Sequence, residues 1–185
     1  MARTLSGSRG EPDKARPTHV KSTLAELNAL DRDRFVDALG WIFEDSPWVA
    51  ARAWPHRPFA SADALHAVMA AEVAAADRAA QLALLRAHPD LGVRARMSDA
   101  SIGEQAGAGL DRLTADEFER LQRMNAAYRE TFGFPFLFAV KGATKYDVLD
   151  ALDRRLGASV DDEFAEALRQ VSRIAAFRLH DLIGA

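Results

Sequence analysis

The chain has 185 residues, of which 49% are hydrophobic and 28% are charged, as in a soluble globular domain with a sizeable core. Its net charge of -3, with both signs mixed along the sequence, gives no electrostatic basis for binding nucleic acid or an anionic membrane. Because cysteine is absent, disulfides, thiolate catalysis and cysteine-ligated metal centres are excluded.

The N-terminal segment differs in composition from the rest of the chain. Residues 1–20 are small and polar, include glycine and proline, and lack the apolar stretch of a secretory signal. No apolar run is long enough to span a bilayer. The sequence therefore predicts a disordered tail over residues 1–20, one folded domain over residues 21–185, and a cytoplasmic protein.

The folded part consists of apolar periodic segments that begin after side chains able to cap a helix. The predicted caps are Thr23 (with Glu26 in capping-box spacing), Ser46 (followed by Pro47), Ser61 and Thr114 (with Glu117). The segment after residue 30 places Phe35, Leu39, Ile42 and Phe43 on one helical face. A further helix is expected to begin near Ser101.

One segment in the second half of the chain has no helical period. Residues 132–140, FGFPFLFAV, are too apolar for a surface loop and form either a short buried strand or an extended connector. The helix that follows is expected to stop at Gly157, and Asp161 and Asp162 suit the start of the last helix. These elements predict an all-α fold, a single-domain multi-helix bundle.

The helix that precedes residues 86–92, RAHPDLG, is expected to end at His88, because Pro89 disfavours the α conformation in the residue before it. The ordinary interpretation is that His88 only terminates a helix, where it suits the helix dipole. The functional interpretation is that a group titrating near neutral pH has been placed at a pocket.

The last helix carries an arginine within its apolar stripe. Arg178 takes a position that spacing assigns to the buried face formed by Phe164, Leu168, Val171, Ala175 and Leu182. Burying a guanidinium is costly unless it is paired. The sequence leaves two alternatives: a structural salt bridge, or an anion-binding arginine at the floor of a cleft.

Two further segments offer polar groups to a pocket. Ser101, Glu104 and Gln105 share one face of a helix, although Ser-x-x-Glu is also a capping box. In residues 136–140 most side chains are expected in the core, while backbone groups beside the proline are able to face a ligand. The histidines form no metal-binding pattern, and no phosphate loop or nucleophile elbow is present.

Taken together, these segments resemble the 2-oxo-4-hydroxy-4-carboxy-5-ureidoimidazoline (OHCU) decarboxylases. The resemblance runs from about Leu24 to Ile183. It is carried by FEDSPWVAARAWPHRPF (43–59), HPDLG (88–92), SIGEQAGAGL (101–110), MNAAY (124–128), FGFPF (132–136) and IAAFRLHDL (174–182). Several matching segments in the same order are more specific than any one of them.

The resemblance implies an activity as well as a fold. It implies an all-helical enzyme, often a homodimer, that converts OHCU to (S)-allantoin in urate degradation without a metal or an organic cofactor. It implies that His88 is catalytic, and we expect Glu104 to hold the imidazole and Arg178 to bind an anionic or carbonyl group. The substrate-binding residues that it implies are Pro89, Ser101, Gln105, Phe136, Leu137, Phe138, Ala139 and Val140.

Some positions depart from the family pattern, and one alternative belongs to another class. VRARM follows HPDLG, and Lys141 stands where arginine is frequent, which bears on substrate discrimination more than on reaction class. His-Pro-Asp is also the signature of J-domain co-chaperones. The basic helix before that motif and the lysine after it are missing here, which argues against this binding-module hypothesis. A relative with a changed substrate also remains an alternative.

Overall fold

The structure is a computed structural model that describes residues 21–92, 103 and 105–184. Within these ranges it contains helices and connecting loops, with no strand. The α-helices are α1 (Leu24–Ala29), α2 (Arg32–Leu39), α3 (Pro47–Ala53), α4 (Ala62–Ala75), α5 (Arg78–Ala87), α6 (Ala115–Phe132), α7 (Lys145–Arg155) and α8 (Val160–Ile183). Short 3-10 helices cover Trp54–His56 and Leu110–Arg112. The predicted all-α class is confirmed.

The predicted helix caps are present. Thr23 and Thr114 each close a capping box with the glutamate three residues later, and the Ser61 side chain accepts from Ala64 N. Ser46 is the N-cap residue of α3, as predicted, but its side chain makes no capping hydrogen bond. Residues 105–107 are helical, whereas the expected start of that helix at Ser101 lies outside the described residues.

Helix α2 is shorter than its apolar pattern predicts. It ends at Leu39, and residues 40–43 form a turn, although Ile42 and Phe43 are as buried as predicted. A Cβ on Gly40 would lie 2.7 Å from Val36 O and 3.0 Å from Pro47 Cβ. Glycine therefore lets the start of α3 approach the end of α2 closely, which turns the chain before residue 44.

The apolar segment after α6 is an extended connector rather than a strand. Helix α6 ends where Gly133 adopts the left-handed conformation, with φ of 77°. Residues 135–140 then run without regular secondary structure, and all of them except Phe138 are buried. No neighbouring strand is available to pair with this backbone among the described residues, so side chains from α7 and α8 bind it instead.

Helix α8 is the centre of the fold. It packs against α4, α5 and α6, while α2 packs on α3 and α3 on α4. Its predicted stripe is buried at every position except the half-buried Leu168, and the start near Asp161 and Asp162 is confirmed by the N-cap Ser159. No described helix combines the length and apolar character needed to cross a membrane. This packing brings the end of α5 and residues 136–140 to the same side of α8.

Candidate active site

His88 lies at the C-terminal end of α5, as the following proline predicts. Its backbone is extended, with φ of -75° and ψ of 142°, and its side chain is buried. The ring Nδ1 lies 2.9 Å from Leu84 O, one helical turn earlier. Because a carbonyl oxygen only accepts, Nδ1 carries the hydrogen of this bond. The neutral ring therefore presents Nε2 as an acceptor, and Nε2 is buried with no partner among the described residues.

The surroundings of His88 favour the neutral imidazole. Burial lowers the pKa of His88 to about 4, from an ordinary value of 6.5. The charge of Arg178 lowers this pKa further, whereas Glu44 and the bond to Leu84 O raise it. At pH 7 the ring is consequently uncharged and its free nitrogen is ready to accept a proton. The functional interpretation from the sequence assumed a group that titrates near neutral pH, and the lowered pKa of His88 corrects that assumption.

Arg178 is buried, and it is paired. Its Nη1 lies 2.8 Å from Glu44 Oε2, and the two side chains are 3% and 9% exposed. The same nitrogen lies 3.3 Å from Trp41 O and 3.4 Å from Ile42 O. Arg178 therefore makes the buried salt bridge of the first alternative and also lines the cavity described next, and its binding of an anion stays a prediction.

A small cavity joins His88 to Arg178. Its volume is about 30 Å³, which is room for one or two water molecules. The described residues that line it are His88, Pro89, Leu91, Gln105, Leu137, Phe138, Val140, Ile174 and Arg178. The apolar lining around one imidazole and one guanidinium is typical of a small-molecule site.

The loop after His88 is anchored on three sides. Gln105 is buried, and its Oε1 accepts from Gly92 N at 2.8 Å. Asn125 Nδ2 donates to Leu91 O at 2.9 Å, and Arg129 pairs with Asp90 at 2.8 Å. These bonds hold residues 88–92 against α6. The pocket wall beside His88 is therefore fixed by side chains rather than by regular secondary structure.

The backbone of residues 136–140 is bound by side chains of α7 and α8. Arg155 Nη1 donates to Leu137 O at 2.7 Å, and Ala139 N donates to Gln170 Oε1 at 2.8 Å. Along an extended chain, alternate residues direct their backbone groups to opposite sides. By this alternation we expect the backbone groups of Phe138 and the Val140 N–H to face the other way, whereas the Val140 carbonyl accepts from Ala143 N at 2.9 Å.

A buried ionic cluster holds this anchor in place. Arg155 binds Glu163 through Nε at 2.9 Å and through Nη2, and Tyr128 donates its hydroxyl proton to the same carboxylate. The Arg155 guanidinium also lies 4.6 Å from the centre of the Phe136 ring. Burial, followed by the bond to Glu163, raises the pKa of Tyr128. The phenol therefore stays protonated and acts as a structural donor.

Comparison with known proteins decides the family. Residues 28–180 match the family model described as OHCU decarboxylase. The chain belongs to the OHCU decarboxylase family. It is 52% identical over 157 residues to the 2-oxo-4-hydroxy-4-carboxy-5-ureidoimidazoline decarboxylase of Haloferax volcanii, covering 85% of this chain and 94% of that one. The match leaves no support for the J-domain alternative.

Two longer relatives contain the same domain. The chain is 47% identical to the uric acid degradation bifunctional protein PucL of Bacillus subtilis, covering 87% of this chain and 33% of that protein. The crystal structure of an (S)-allantoin synthase superposes with a TM-score of 0.71 at 34% identity. That match covers 88% of this chain and 54% of the other, so the present chain spans about half of the solved one.

The structure brings together most of the site residues expected for an OHCU decarboxylase. His88, Pro89, Gln105, Leu137, Phe138, Val140 and Arg178 all line the cavity. Phe136 does not line it, because its ring packs 5.3 Å from that of Tyr128 in the core. Ala139 does not line it either, and its N–H is bound by Gln170. Ser101 and Glu104 lie outside the described residues, so their roles remain predictions.

Sequence reasoning missed Glu44, which is the acidic partner of Arg178. A buried arginine predicts a carboxylate partner, but Glu44 and Asp45 follow each other in a turn with no periodic signal to distinguish them. Their separation from Arg178 exceeds 130 residues, so only the fold identifies the pair. Within the described part of the chain, no cluster of three or more potential ligands is arranged to hold a metal ion.

Proposed function

We propose that this chain is a carboxy-lyase that converts OHCU to (S)-allantoin, a step in the degradation of urate. The observation that carries the proposal is that His88 and the buried Arg178 line the same cavity. The Nε2 atom of His88 is unprotonated there and has no hydrogen-bond partner among the described residues. Membership of the OHCU decarboxylase family supports the substrate.

The chemistry follows from the structure of the substrate. OHCU carries a carboxylate and a hydroxyl on ring carbon C4 and a ureido group on C5. When the bond from C4 to the carboxylate breaks, carbon dioxide leaves and its electron pair stays on C4. The adjacent unsaturated ring holds this density as an enolate-like species. The hydroxyl then loses its proton to become a carbonyl, and C5 gains a proton and becomes the chiral centre. The former imine nitrogen of the ring takes up one proton from solvent, so that the anionic substrate gives carbon dioxide and neutral allantoin.

His88 is suited to move both protons. Its neutral Nε2 accepts the proton of the C4 hydroxyl, and the resulting imidazolium then delivers a proton to one face of C5. The Leu84 carbonyl keeps the ring in one tautomer throughout, because it holds the Nδ1 hydrogen. In this proposal His88 is a base first and an acid second, and its fixed position accounts for the single handedness of the product.

Arg178 supplies positive charge where negative charge develops. A guanidinium that only gripped the leaving carboxylate would stabilise the ground state and would not increase kcat. Arg178 is held by Glu44 and two carbonyl groups of the same turn, so it does not reorganise during the reaction. We therefore assign it to the oxygen on C4, which becomes more negative as carbon dioxide leaves.

The polar groups around the ring complete the proposed site. The backbone groups of Phe138 and the Val140 N–H suit the ureido and ring carbonyl groups, because Leu137 O and Ala139 N are bound elsewhere. Ser101 and Glu104 are proposed to contact the same substrate, with Glu104 beside the imidazole. The electron density stays within the substrate ring, so this proposal uses neither a metal nor an organic cofactor.

The molecular context is proposed on the resemblance alone. We propose a cytoplasmic homodimer in which residues 1–20 are dispensable and residues 21–185 form the catalytic domain. Light scattering of the purified chain tests the homodimer, for which twice the monomer mass of 20.2 kDa is expected. A variant lacking residues 1–20 is expected to keep the full turnover rate. Fractionation of cells that express the chain tests the compartment.

Circular dichroism during urate breakdown tests the reaction directly. Uricase and hydroxyisourate hydrolase generate OHCU in the cuvette, and this protein is then added. A rapid signal of (S)-allantoin is expected, in contrast to the slow racemic decay of the substrate alone. A trace identical to the protein-free control contradicts the proposed function and indicates a changed substrate.

Two variants connect the reaction to the site. His88→Asn is expected to remove the rapid signal, with a loss in kcat of about 100-fold or more. His56→Asn is the matched control, because His56 is a half-exposed histidine outside the cavity, paired with Glu72. Full activity in His88→Asn removes the role assigned to this residue and leaves the overall reaction intact.

A further inference from the structure

We propose that Glu44 is a positioning residue of the reaction, which holds the Arg178 guanidinium against the cavity beside His88. This inference rests on the proposed decarboxylase function. Glu44 lies in the turn between α2 and α3 and belongs to no cavity-lining segment expected from the sequence. Three observations carry the argument: the backbone conformation of Glu44, its contacts with Arg178 and its charge near His88.

The backbone at Glu44 is strained. Its φ is 52°, and among the described residues it is the one non-glycine residue with positive φ. In this left-handed region a residue with a Cβ is disfavoured, and glycine or asparagine is the relaxed choice. Such a conformation persists where the surroundings require the side chain. The requirement here is a carboxylate that points inward from a turn.

The turn places its acceptors around one guanidinium nitrogen. Arg178 Nη1 faces the Glu44 carboxylate at 2.8 Å and the carbonyl groups of Trp41 and Ile42 at 3.3 and 3.4 Å. The Trp41 ring centre lies 5.9 Å from the guanidinium carbon. All of these contacts come from residues 41–44. The orientation of Arg178 at the cavity therefore depends on this turn, and the carboxylate is its charged member.

The charge of Glu44 also acts on the second reacting group. His88 becomes an imidazolium between the two proton transfers, in a site where burial and Arg178 both oppose that charge. The carboxylate of Glu44 opposes this effect and favours the charged ring. Glu44 thus offsets the positive charge that Arg178 places beside His88, without contact to the substrate, and this effect like the positioning depends on the presence of Arg178.

The test removes the charge of Glu44 while keeping its shape. Glu44→Gln is expected to lower kcat at least tenfold, with a smaller change in KM. Glu44→Asp keeps the negative charge but places the carboxylate farther from Arg178, because the side chain is one methylene shorter. Its kcat is expected to lie between those of Glu44→Gln and the parent. Glu72→Gln is the matched control: this glutamate is also partly buried and paired, with His56, but lies outside the cavity, so the parent kcat is expected.

A double variant separates positioning from a general structural role. If Glu44 acts through Arg178, then adding Glu44→Gln to Arg178→Met causes less than a twofold further loss of kcat, since the group to be positioned is gone. A full tenfold further loss contradicts the proposal. The double variant also removes both buried charges together, so it is expected to fold.

The outcomes distinguish this inference from the function on which it rests. A parent chain that forms no (S)-allantoin contradicts the proposed function. An active parent together with a folded Glu44→Gln variant of equal kcat contradicts only the positioning role. If Glu44→Gln does not fold, because Arg178 is left uncompensated, Glu44→Asp carries the test, and parent-like kcat in that variant overturns the inference.

Discussion

Helix α8 carries a buried arginine–glutamate pair near each end, and the two pairs have different surroundings. Near its N-terminus, Glu163 binds Arg155, with side-chain exposures of 1% and 13%. Near its C-terminus, Arg178 binds Glu44, with exposures of 3% and 9%. The first pair is enclosed by Tyr128 and the connector backbone, whereas the second lines the cavity that contains His88.

The difference shows that burial of an ion pair does not by itself indicate its role. Both pairs are costly to desolvate, and both are expected to destabilise the fold if one partner is removed. At the first pair the hydrogen-bonding groups meet protein partners, which makes it an anchor for residues 136–140. At the second, the neighbouring imidazole has an unpartnered nitrogen. The unsatisfied polar atom nearby, rather than the pair, distinguishes a site from an anchor.

The largest effect on stability is expected from breaking the anchoring pair. Glu163→Ala leaves Arg155 as an uncompensated buried charge and removes the acceptor of the Tyr128 hydroxyl. The free energy of unfolding is expected to fall by about 3 to 5 kcal/mol. Urea denaturation measures this change, with Glu72→Ala as the control on a more exposed glutamate. A loss below about 1 kcal/mol would show that the cluster is not an anchor.

The buried His88, which lines the cavity, is expected to make the free energy of unfolding depend on pH. The pKa of His88 is about 4 in the folded chain and about 6.5 when unfolded, so the unfolded chain binds more protons between these values. The contribution of His88 to the free energy of unfolding is therefore complete above pH 6.5 and is lost as the pH falls toward 4. The expected loss is about 3 kcal/mol.

Denaturation at several pH values measures this dependence. His88→Asn is expected to flatten the stability curve between pH 6.5 and 4, whereas the half-exposed control His56→Asn keeps the slope due to His88. An unchanged slope in His88→Asn would contradict the neutral buried imidazole, and with it the assignment of His88 as the initial base.

A smaller effect is expected where the anchor meets the site. Gln170→Leu leaves the buried Ala139 N–H without its acceptor, at a cost of about 1 to 2 kcal/mol. Because Phe138 and Val140 flank this group, KM for OHCU is expected to rise. Gln81→Leu is the control, since Gln81 binds backbone carbonyls at the end of α4. A parent-like KM in Gln170→Leu would show that the bond between Ala139 N and Gln170 does not affect substrate binding.

The smallest effect is expected at an exposed pair between α8 and the turn that follows residues 136–140. Lys141 binds both oxygens of Asp181, at 2.6 and 2.8 Å, but the two side chains are 48% and 67% exposed. Lys141→Met is expected to change the free energy of unfolding by less than 1 kcal/mol, because solvent screens the pair. Thermal unfolding at low and high salt measures it. If Lys141→Met lowered the free energy of unfolding as much as Glu163→Ala, burial would not explain the difference between the ion pairs.

Helix boundaries were predictable where local chemistry determines them. The capping box at Thr114 and the stop at His88 before Pro89 depend on residues within one helical turn. Helix α2 was predicted too long, because Ile42 and Phe43 continue its apolar spacing. The contact of Gly40 with Pro47 that ends this segment joins two elements, and periodicity carries no information about it.

The connector shows the same limit in another form. An apolar run with glycine and proline is compatible with a buried strand or with an extended loop, since both bury the same side chains. Arg155 and Gln170 decide between them by binding the backbone of residues 137 and 139. Likewise, Phe136 belongs to a matching motif, but its burial beside Tyr128 follows from packing.

The sequence by itself determined the helical class, most helix starts, the family resemblance and the choice of His88 and Arg178 as exceptional residues. These follow from local capping, hydrophobic periodicity and residues that break a pattern. Only the tertiary structure decided that Glu44 is the partner of Arg178 and that His88 is neutral. Both depend on desolvation and on charges that are distant in sequence: Glu44 lies more than 130 residues from Arg178, and His88 lies 90 residues from Arg178. The burial that sets the strength of these interactions exists only after the chain has folded.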